Sequence, residues 1–106
     1  MSQQVTELTG KEFAIFIKKG LVLVDFSADW CMPCVMMAPV MDELSVKFKG
    51  KIKFGKIDVD ENQDLSRKFK ILSIPNFVIF KDGKMIERFV GAMSSEDFEE
   101  RLEKYL

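Results

Sequence analysis

The chain has 106 residues, of which 47% are hydrophobic and 31% are charged, a composition typical of folded globular proteins and not of disordered ones. This length suits one core, so we expect residues 1–106 to form a single domain. The 16 basic and 17 acidic residues give a net charge of −1. They form no basic cluster of the kind that binds nucleic acid.

Membrane insertion and secretion are also unsupported by the sequence. The longest uncharged stretch, residues 30–41, has 12 residues and two prolines, whereas about 20 apolar residues are needed to span a bilayer. Residues 1–10 lack the basic and apolar regions of a signal peptide. We therefore expect a cytoplasmic protein that binds neither membrane nor nucleic acid.

The first part of the chain alternates between strand and helix patterns. A first strand is predicted over residues 5–8, and Thr9 and Glu12 then form a capping box that opens a helix ending near Gly20. The apolar run over residues 21–26 predicts a strand buried on both faces.

A long helix follows over residues 33–48, with a strand over 52–58 and a short helix around Leu65 and Phe69. The apolar stripe predicted for the long helix consists of Met37, Met41, Leu44 and Phe48.

The last part predicts a hairpin and a helix. Strands over residues 76–80 and 85–90 flank Asp82-Gly83, a strong signal for a two-residue turn. Ser94 and Asp97 open a final helix with Phe98, Leu102 and Tyr105 facing inward.

Strands joined through helices are expected to be parallel neighbours. The element order therefore predicts a mixed sheet covered by helices on both faces.

Both cysteines lie in one C-x-x-C motif, where the buried strand ends and the long helix begins. Cys31 falls at the helix N-terminus, whose free N–H groups and dipole stabilise a thiolate, and Pro33 suits the first turn. Cys34 lies on the same side, one turn further on. The pair is suited to thiol–disulfide exchange, in which Cys31 attacks a target disulfide and Cys34 resolves the mixed disulfide.

Two other uses of the cysteine pair stay open at this point. A structural disulfide closing a four-residue loop would contribute only about 2 kcal/mol. A zinc site normally takes four Cys or His ligands, and the chain has two cysteines and no histidine. We therefore expect no metal site within one chain, which leaves only a zinc-bridged dimer.

Six segments in order along the chain match one known family. They are Val24-Asp25-Phe26, residues 30–34, Ala38-Pro39, Ile74-Pro75, Asp82-Gly83 and Gly91-Ala92. On these residues the chain resembles the thioredoxin family over essentially its whole length. It departs from the family pattern at Met32, which replaces Gly of W-C-G-P-C, at Val35, which replaces a frequent Lys or Arg, and at Ser27, which replaces the Trp of many bacterial members. These departures bear on reduction potential and partner preference.

The resemblance implies an α/β thioredoxin fold, with a central and mostly parallel mixed sheet, an antiparallel C-terminal hairpin and four flanking helices. It implies a monomeric protein disulfide reductase that is recharged by a thioredoxin reductase and uses no cofactor. A binding or assembly module built on the same fold is the alternative.

Asp25 stands inside the buried apolar strand, where burial should raise the pKa of its carboxyl group. The resemblance assigns it proton exchange with Cys34 through water, with Lys56 as a modulator. The alternative is a structural ion pair between Asp25 and a lysine such as Lys56.

Pro75 could simply begin a strand, but the resemblance implies a cis peptide bond that packs against the cysteines and offers the Ile74 backbone to an extended substrate. An apolar substrate-binding patch is expected around the cysteines, formed by Trp30, Met32, Ile74, Pro75, Gly91 and Ala92. Met37 and Met41 are expected in the core instead.

Overall fold

The computed structural model describes residues 5–106, so the first four residues of the predicted domain lie outside the described range. Five strands and four helices follow one another along the chain. They are β1 (Val5–Glu7), α1 (Gly10–Ile17), β2 (Leu21–Ser27), α2 (Met32–Lys47), β3 (Lys53–Asp58), α3 (Gln63–Lys68), β4 (Asn76–Lys81), β5 (Lys84–Val90) and α4 (Ser95–Glu103). The predicted α/β class, with one mixed sheet and four helices, is confirmed.

The strand order across the sheet is β1-β3-β2-β4-β5. β3 is parallel to both β1 and β2, whereas β4 is antiparallel to both β2 and β5. The expectation that strands joined through helices are parallel neighbours is therefore confirmed for β2 and β3 only. It is wrong for β1 and β2, which β3 separates, and for β4, which is antiparallel.

The connection from β3 to β4 brings the chain back to the end of the sheet where β2 ends. It consists of residues 59–75, of which six form α3. β4 begins there, with Asn76 opposite Phe26.

The sheet separates two apolar cores. On the face covered by α2 and α4, the predicted stripe of α2 is buried, together with Phe98 and Leu102 of α4. The core on the other face contains Phe13 and Ile17 of α1, with Phe69 partly buried against it. The core positions predicted from helical spacing are thus confirmed on both faces.

The predicted helix caps form hydrogen bonds. The Glu12 carboxylate accepts from the Thr9 backbone N–H at 2.9 Å and from the Thr9 hydroxyl at 3.2 Å. At the start of α4, the Ser94 hydroxyl accepts from the Asp97 N–H at 3.1 Å. Both contacts satisfy groups at a helix start that have no partner within the helix.

The predicted hairpin turn is confirmed at Asp82-Gly83. Both residues have positive φ, at 49° and 88°, as a type I′ turn requires. The Asp82 carboxylate also accepts from the Gly20 N–H at 2.8 Å. The turn therefore fixes the β4–β5 hairpin to the segment that enters β2.

Gly55, at the centre of β3, allows the close approach of Leu8 and Phe16. A Cβ atom at Gly55 would lie 2.7 Å from Leu8 Cδ1 and 2.9 Å from Phe16 Cε2.

Gly55→Ala should therefore lower the free energy of unfolding by about 1–3 kcal/mol, the usual cost of overpacking, as measured by urea denaturation. The control is Gly10→Ala, because a Cβ there comes no closer than 3.5 Å to a neighbouring atom. Equal stability of the two variants would contradict this explanation.

Candidate active site

The C-x-x-C pair lies at the junction of β2 and α2. Cys31 is the N-cap residue of α2 in extended conformation, and Pro33 lies in the first turn, as the sequence predicted. Cys31 and Cys34 are joined by a disulfide, with their Cα atoms 5.2 Å apart. The helix start therefore holds the two sulfurs at bonding distance, with Cys31 at the tip and Cys34 one turn further in.

One backbone N–H group of the first turn donates to the sulfur of Cys31. The Cys34 N–H lies 3.3 Å from Cys31 Sγ, whereas the Val35 N–H makes the first hydrogen bond within the helix, to the Cys31 carbonyl at 3.0 Å. Unpaired N–H groups and the positive end of the helix dipole both favour negative charge at this position. After reduction, this environment stabilises a thiolate on Cys31.

The loop before β4 contacts the cysteines. The Ile74–Pro75 peptide bond is cis, which confirms the expectation from the family resemblance. The Ile74 carbonyl oxygen lies 3.8 Å from Cys31 Sγ, and Ile74 packs against the buried cysteine pair. The Gly91 N–H donates to the Pro75 carbonyl at 2.9 Å. Segments containing Cys31, Pro75 and Gly91 therefore meet at one end of the sheet.

The residues beside Cys31 are exposed. Trp30 is 70% exposed and Met32 is 66% exposed, in agreement with the surface position predicted for both. The Trp30 indole Nε1–H donates to Asp60 Oδ2 at 2.7 Å, which fixes the ring beside the cysteines. Ala92 is also exposed. The two cysteines are only 5% and 6% exposed, so a reaction partner reaches them through this surrounding surface.

Sequence reasoning missed two residues near this surface, Met36 and Asp60. Met36 is exposed on α2 beside Val35, a position that the sequence had already singled out, and Leu72 is 93% exposed in the loop before Pro75. The signal for Met36 was its place outside the buried stripe of α2. No local pattern indicates Asp60, because its contact with Trp30 joins residues that are 30 positions apart.

Asp25 lies in β2 and is almost completely buried. Its Oδ1 atom has no hydrogen-bond partner within residues 5–106. Burial raises the pKa of its carboxyl from 3.8 to about 7, against an opposing effect of the Lys56 charge. Lys56 is its register neighbour on β3, yet the ion pairs found among the described residues do not include these two. The alternative of an Asp25–Lys56 ion pair therefore finds no support in the described part of the structure, although the Lys56 charge acts on the carboxyl group.

A pocket of about 260 Å³ connects Asp25 with the surface between the sheet and α2. Its lining includes Glu7, Asp25, Ala38, Asp42 and Lys56. Ala38 lies four residues after Cys34 on α2, so the two share one face of the helix. The pocket thus joins the buried carboxyl to the helix face that carries Cys34, and it is large enough to admit water.

Metal-binding and membrane-spanning features were sought over the same range. Within residues 5–106, no group of three or more His, Cys, Asp or Glu side chains could hold a metal ion. The helices in that range include none that is long and apolar enough to cross a bilayer.

A reversible cysteine pair at a helix N-terminus, beside a cis proline, defines the dithiol–disulfide oxidoreductase class. The family model described as Thioredoxin matches residues 4–104. The chain is 40% identical over 102 residues to thioredoxins of Staphylococcus aureus strains Mu50, MW2 and N315, with 96% of this chain and 98% of theirs covered. The chain therefore belongs to the thioredoxin family, and its cysteine pair is that of a thioredoxin-like protein disulfide reductase. The predicted fold and activity are confirmed at this level.

The raised pKa of Asp25 makes stability depend on pH. Between pH 3.8 and about 7, the folded state keeps a proton that the unfolded state releases, so the free energy of unfolding falls as pH rises through this window. The total loss is on the order of 4 kcal/mol. Asp25→Asn removes this ionisation and should be more stable than the original chain at pH 8.

Urea denaturation of the oxidised protein from pH 4 to pH 9 tests this expectation. The two proteins should have similar stability near pH 4, where both carry a neutral side chain at this position. A stability difference that is the same at every pH would contradict it.

Proposed function

We propose that this protein reduces disulfide bonds of other proteins through Cys31 and Cys34 and is recharged by a thioredoxin reductase. The observation that carries the proposal is the position of Cys31 at the N-terminus of α2, joined to Cys34 one turn further in. Cys31 thus forms the stabilised thiolate and attacks the target disulfide, whereas Cys34 resolves the mixed disulfide that results.

The reaction consists of two exchange steps. The Cys31 thiolate attacks one sulfur of the target disulfide, which forms a mixed disulfide and releases one target thiolate. Cys34 then loses its proton and attacks Cys31 Sγ, which releases the second target sulfur and closes the Cys31–Cys34 disulfide. The target gains two electrons and two protons, and the reductase returns the pair to the dithiol form.

Asp25 accepts the proton of Cys34 through water in the second step and returns it when the pair is reduced again. Two features support this role: the pocket that joins Asp25 to the helix face of Cys34 and a pKa of about 7. A group with a pKa near the working pH transfers protons in both directions. The charge of Lys56 lowers the pKa of Asp25 and so modulates the step.

The target protein binds at the apolar surface around the cysteines. The cis bond before Pro75 offers the Ile74 backbone to an extended target segment, which can pair with it as an added strand. Methionine adapts to varied partners, which suits the exposed Met32. The surface that we assign to target binding consists of Trp30, Met32, Ile74, Gly91 and Ala92. Pro75, the sixth residue predicted for this surface, is buried and contributes through the backbone conformation that it gives Ile74.

The protein acts as a single-domain monomer in the cytoplasm and uses no cofactor. The cysteines themselves carry the two electrons, and a reducing compartment keeps such a pair in the dithiol form. One continuous sheet through residues 5–90 supports the single domain. The nearly balanced charge of the chain is consistent with protein partners and not with nucleic acid.

Variants of the two cysteines test the assigned roles. Cys31→Ser should abolish the acceleration of insulin reduction by dithiothreitol in a turbidity assay, because the attacking thiolate is missing. Cys34→Ser should accumulate mixed disulfides with targets, since nothing resolves them, and mass spectrometry detects these adducts. Full turnover by Cys34→Ser, with trapping by Cys31→Ser, would reverse the two roles. No insulin reduction by the original chain would favour the binding or assembly module instead.

The reduction potential should be that of a reductant. Strongly oxidising relatives stabilise the thiolate with nearby cations or donors, whereas Met32 and Val35 are the exposed side chains beside the pair and the chain has no histidine. We expect half-oxidation close to the value of about −270 mV already established for thioredoxin, well below the value of about −180 mV for protein disulfide isomerase.

Equilibration in dithiothreitol and glutathione redox buffers measures this potential. Val35→Lys should raise it by up to about 30 mV, which corresponds to one unit of thiol pKa. Val46→Lys is the control, because Val46 is equally exposed on α2 but lies three turns beyond the cysteines. An isomerase-like potential of the original chain would contradict the reductant assignment.

A further inference from the structure

Three charged residues lie side by side across three neighbouring strands. Glu7 of β1 is the register partner of Lys56 of β3, and Lys56 is the register partner of Asp25 of β2. Register partners project from the same face of a sheet, with strands about 4.8 Å apart. Lys56 therefore has one carboxyl group on each side, the buried Asp25 and the exposed Glu7.

All three residues line the pocket between the sheet and α2. From α2, the charged residue that lines this pocket is Asp42. From β4, the register partner of Asp25 is Phe77, which carries no charge. The charged groups that face Asp25 from the elements packed around it are thus Glu7, Lys56 and Asp42.

Lys56 forms no ion pair in the described part of the chain, so no single acidic neighbour holds its ammonium group. Lys56 and Glu7 also line a second pocket of about 200 Å³, together with Asp29, Asp58 and Glu61. The Asp58 carboxylate already accepts two backbone N–H bonds, at 2.8 and 3.3 Å. Glu7 is the acidic residue that lies in register with Lys56 on the side away from Asp25.

We propose that Glu7 is a positioning residue of the redox reaction, which competes with Asp25 for Lys56 and thereby sets the pH at which Asp25 exchanges its proton. The inference rests on the proposed role of Asp25 in the proton step. The ionised Glu7 draws the Lys56 ammonium outward, toward solvent. Less positive charge then remains beside Asp25, which favours the protonated form of its carboxyl group.

Direct repulsion between the ionised Glu7 and Asp25 also raises the pKa of Asp25, as the withdrawal of Lys56 does. Two strand spacings place Glu7 about 10 Å from Asp25, a distance at which a partly exposed charge shifts a pKa by about half a unit. Glu7→Gln removes both effects and should therefore lower the pKa of Asp25 by more than about 0.5, and Lys56→Met should raise it.

The first experiment is an NMR titration of the Asp25 carboxyl carbon in the oxidised protein, in which the disulfide-bonded cysteines do not titrate. The control is Glu43→Gln, because Glu43 is exposed beside Asp42 on α2 and lines neither pocket. Its midpoint should match that of the original chain. An unchanged midpoint for Glu7→Gln, or an equal shift for Glu43→Gln, would overturn the proposal.

A double-variant cycle tests whether Glu7 acts through Lys56. In the Lys56→Met background, Glu7→Gln should shift the Asp25 midpoint by only about 0.5, less than in the original chain, because only direct repulsion remains. An undiminished shift would show that Glu7 acts without Lys56 and would overturn the positioning role.

The pH profile of insulin reduction then connects the titration to turnover. The limb governed by Asp25 should move to lower pH in Glu7→Gln by the same amount as the NMR midpoint, without a change in the maximal rate. A shifted midpoint with an unmoved profile would overturn the role of Glu7 in the reaction. Loss of insulin reduction by the original chain would instead refute the proposed function, while the titration would still report the electrostatics.

Discussion

β2 lies at the centre of the sheet, where it pairs with β3 on one side and β4 on the other, and all seven of its residues are buried. Its side chains enter both apolar cores alternately, with Leu23 in one and Val24 in the other. Burial of each such side chain stabilises the fold by about 1.5–3 kcal/mol. The helices on both faces therefore depend on this strand.

The same strand carries Asp25, whose raised pKa reflects the cost of ionisation inside the sheet. Five buried apolar side chains in β2 offset this cost, so the fold tolerates a carboxyl group that weakens it above pH 4. In the function that we propose, its position next to Lys56 and the pocket gives that carboxyl a route for proton exchange. A titratable group thus lies in the central, fully buried strand, and our proposal is that Glu7 of the edge strand adjusts its protonation.

The cysteine pair depends on the convergence of three segments at one end of the sheet. β2 leads into α2 and sets Cys31 at the helix start, and the antiparallel β4 begins at the same end of the sheet. That direction brings the Ile74 carbonyl to 3.8 Å from Cys31 Sγ. The hydrogen bond from Gly91 to Pro75 adds the segment after β5. A parallel β4 would have begun at the opposite end, far from the cysteines.

The sequence by itself determined the features that depend on near neighbours in the chain. Helical and strand periodicities predicted the elements and the buried stripe of α2, and the Asp82-Gly83 dipeptide predicted its turn, because these patterns act within a few residues. The motif at the strand–helix boundary likewise placed Cys31 at the N-cap. The apolar surroundings of Asp25 predicted a raised pKa.

Only the tertiary structure decided the direction of β4, the contact of Trp30 with Asp60, and the row formed by Glu7, Lys56 and Asp25. Each of these joins residues that are distant in sequence, and each depends on strand order and register. The family resemblance predicted the cis bond before Pro75, which the local sequence pattern alone did not indicate. Strand order and register result from the burial of two cores at once, a constraint on the whole chain that no short segment of sequence contains.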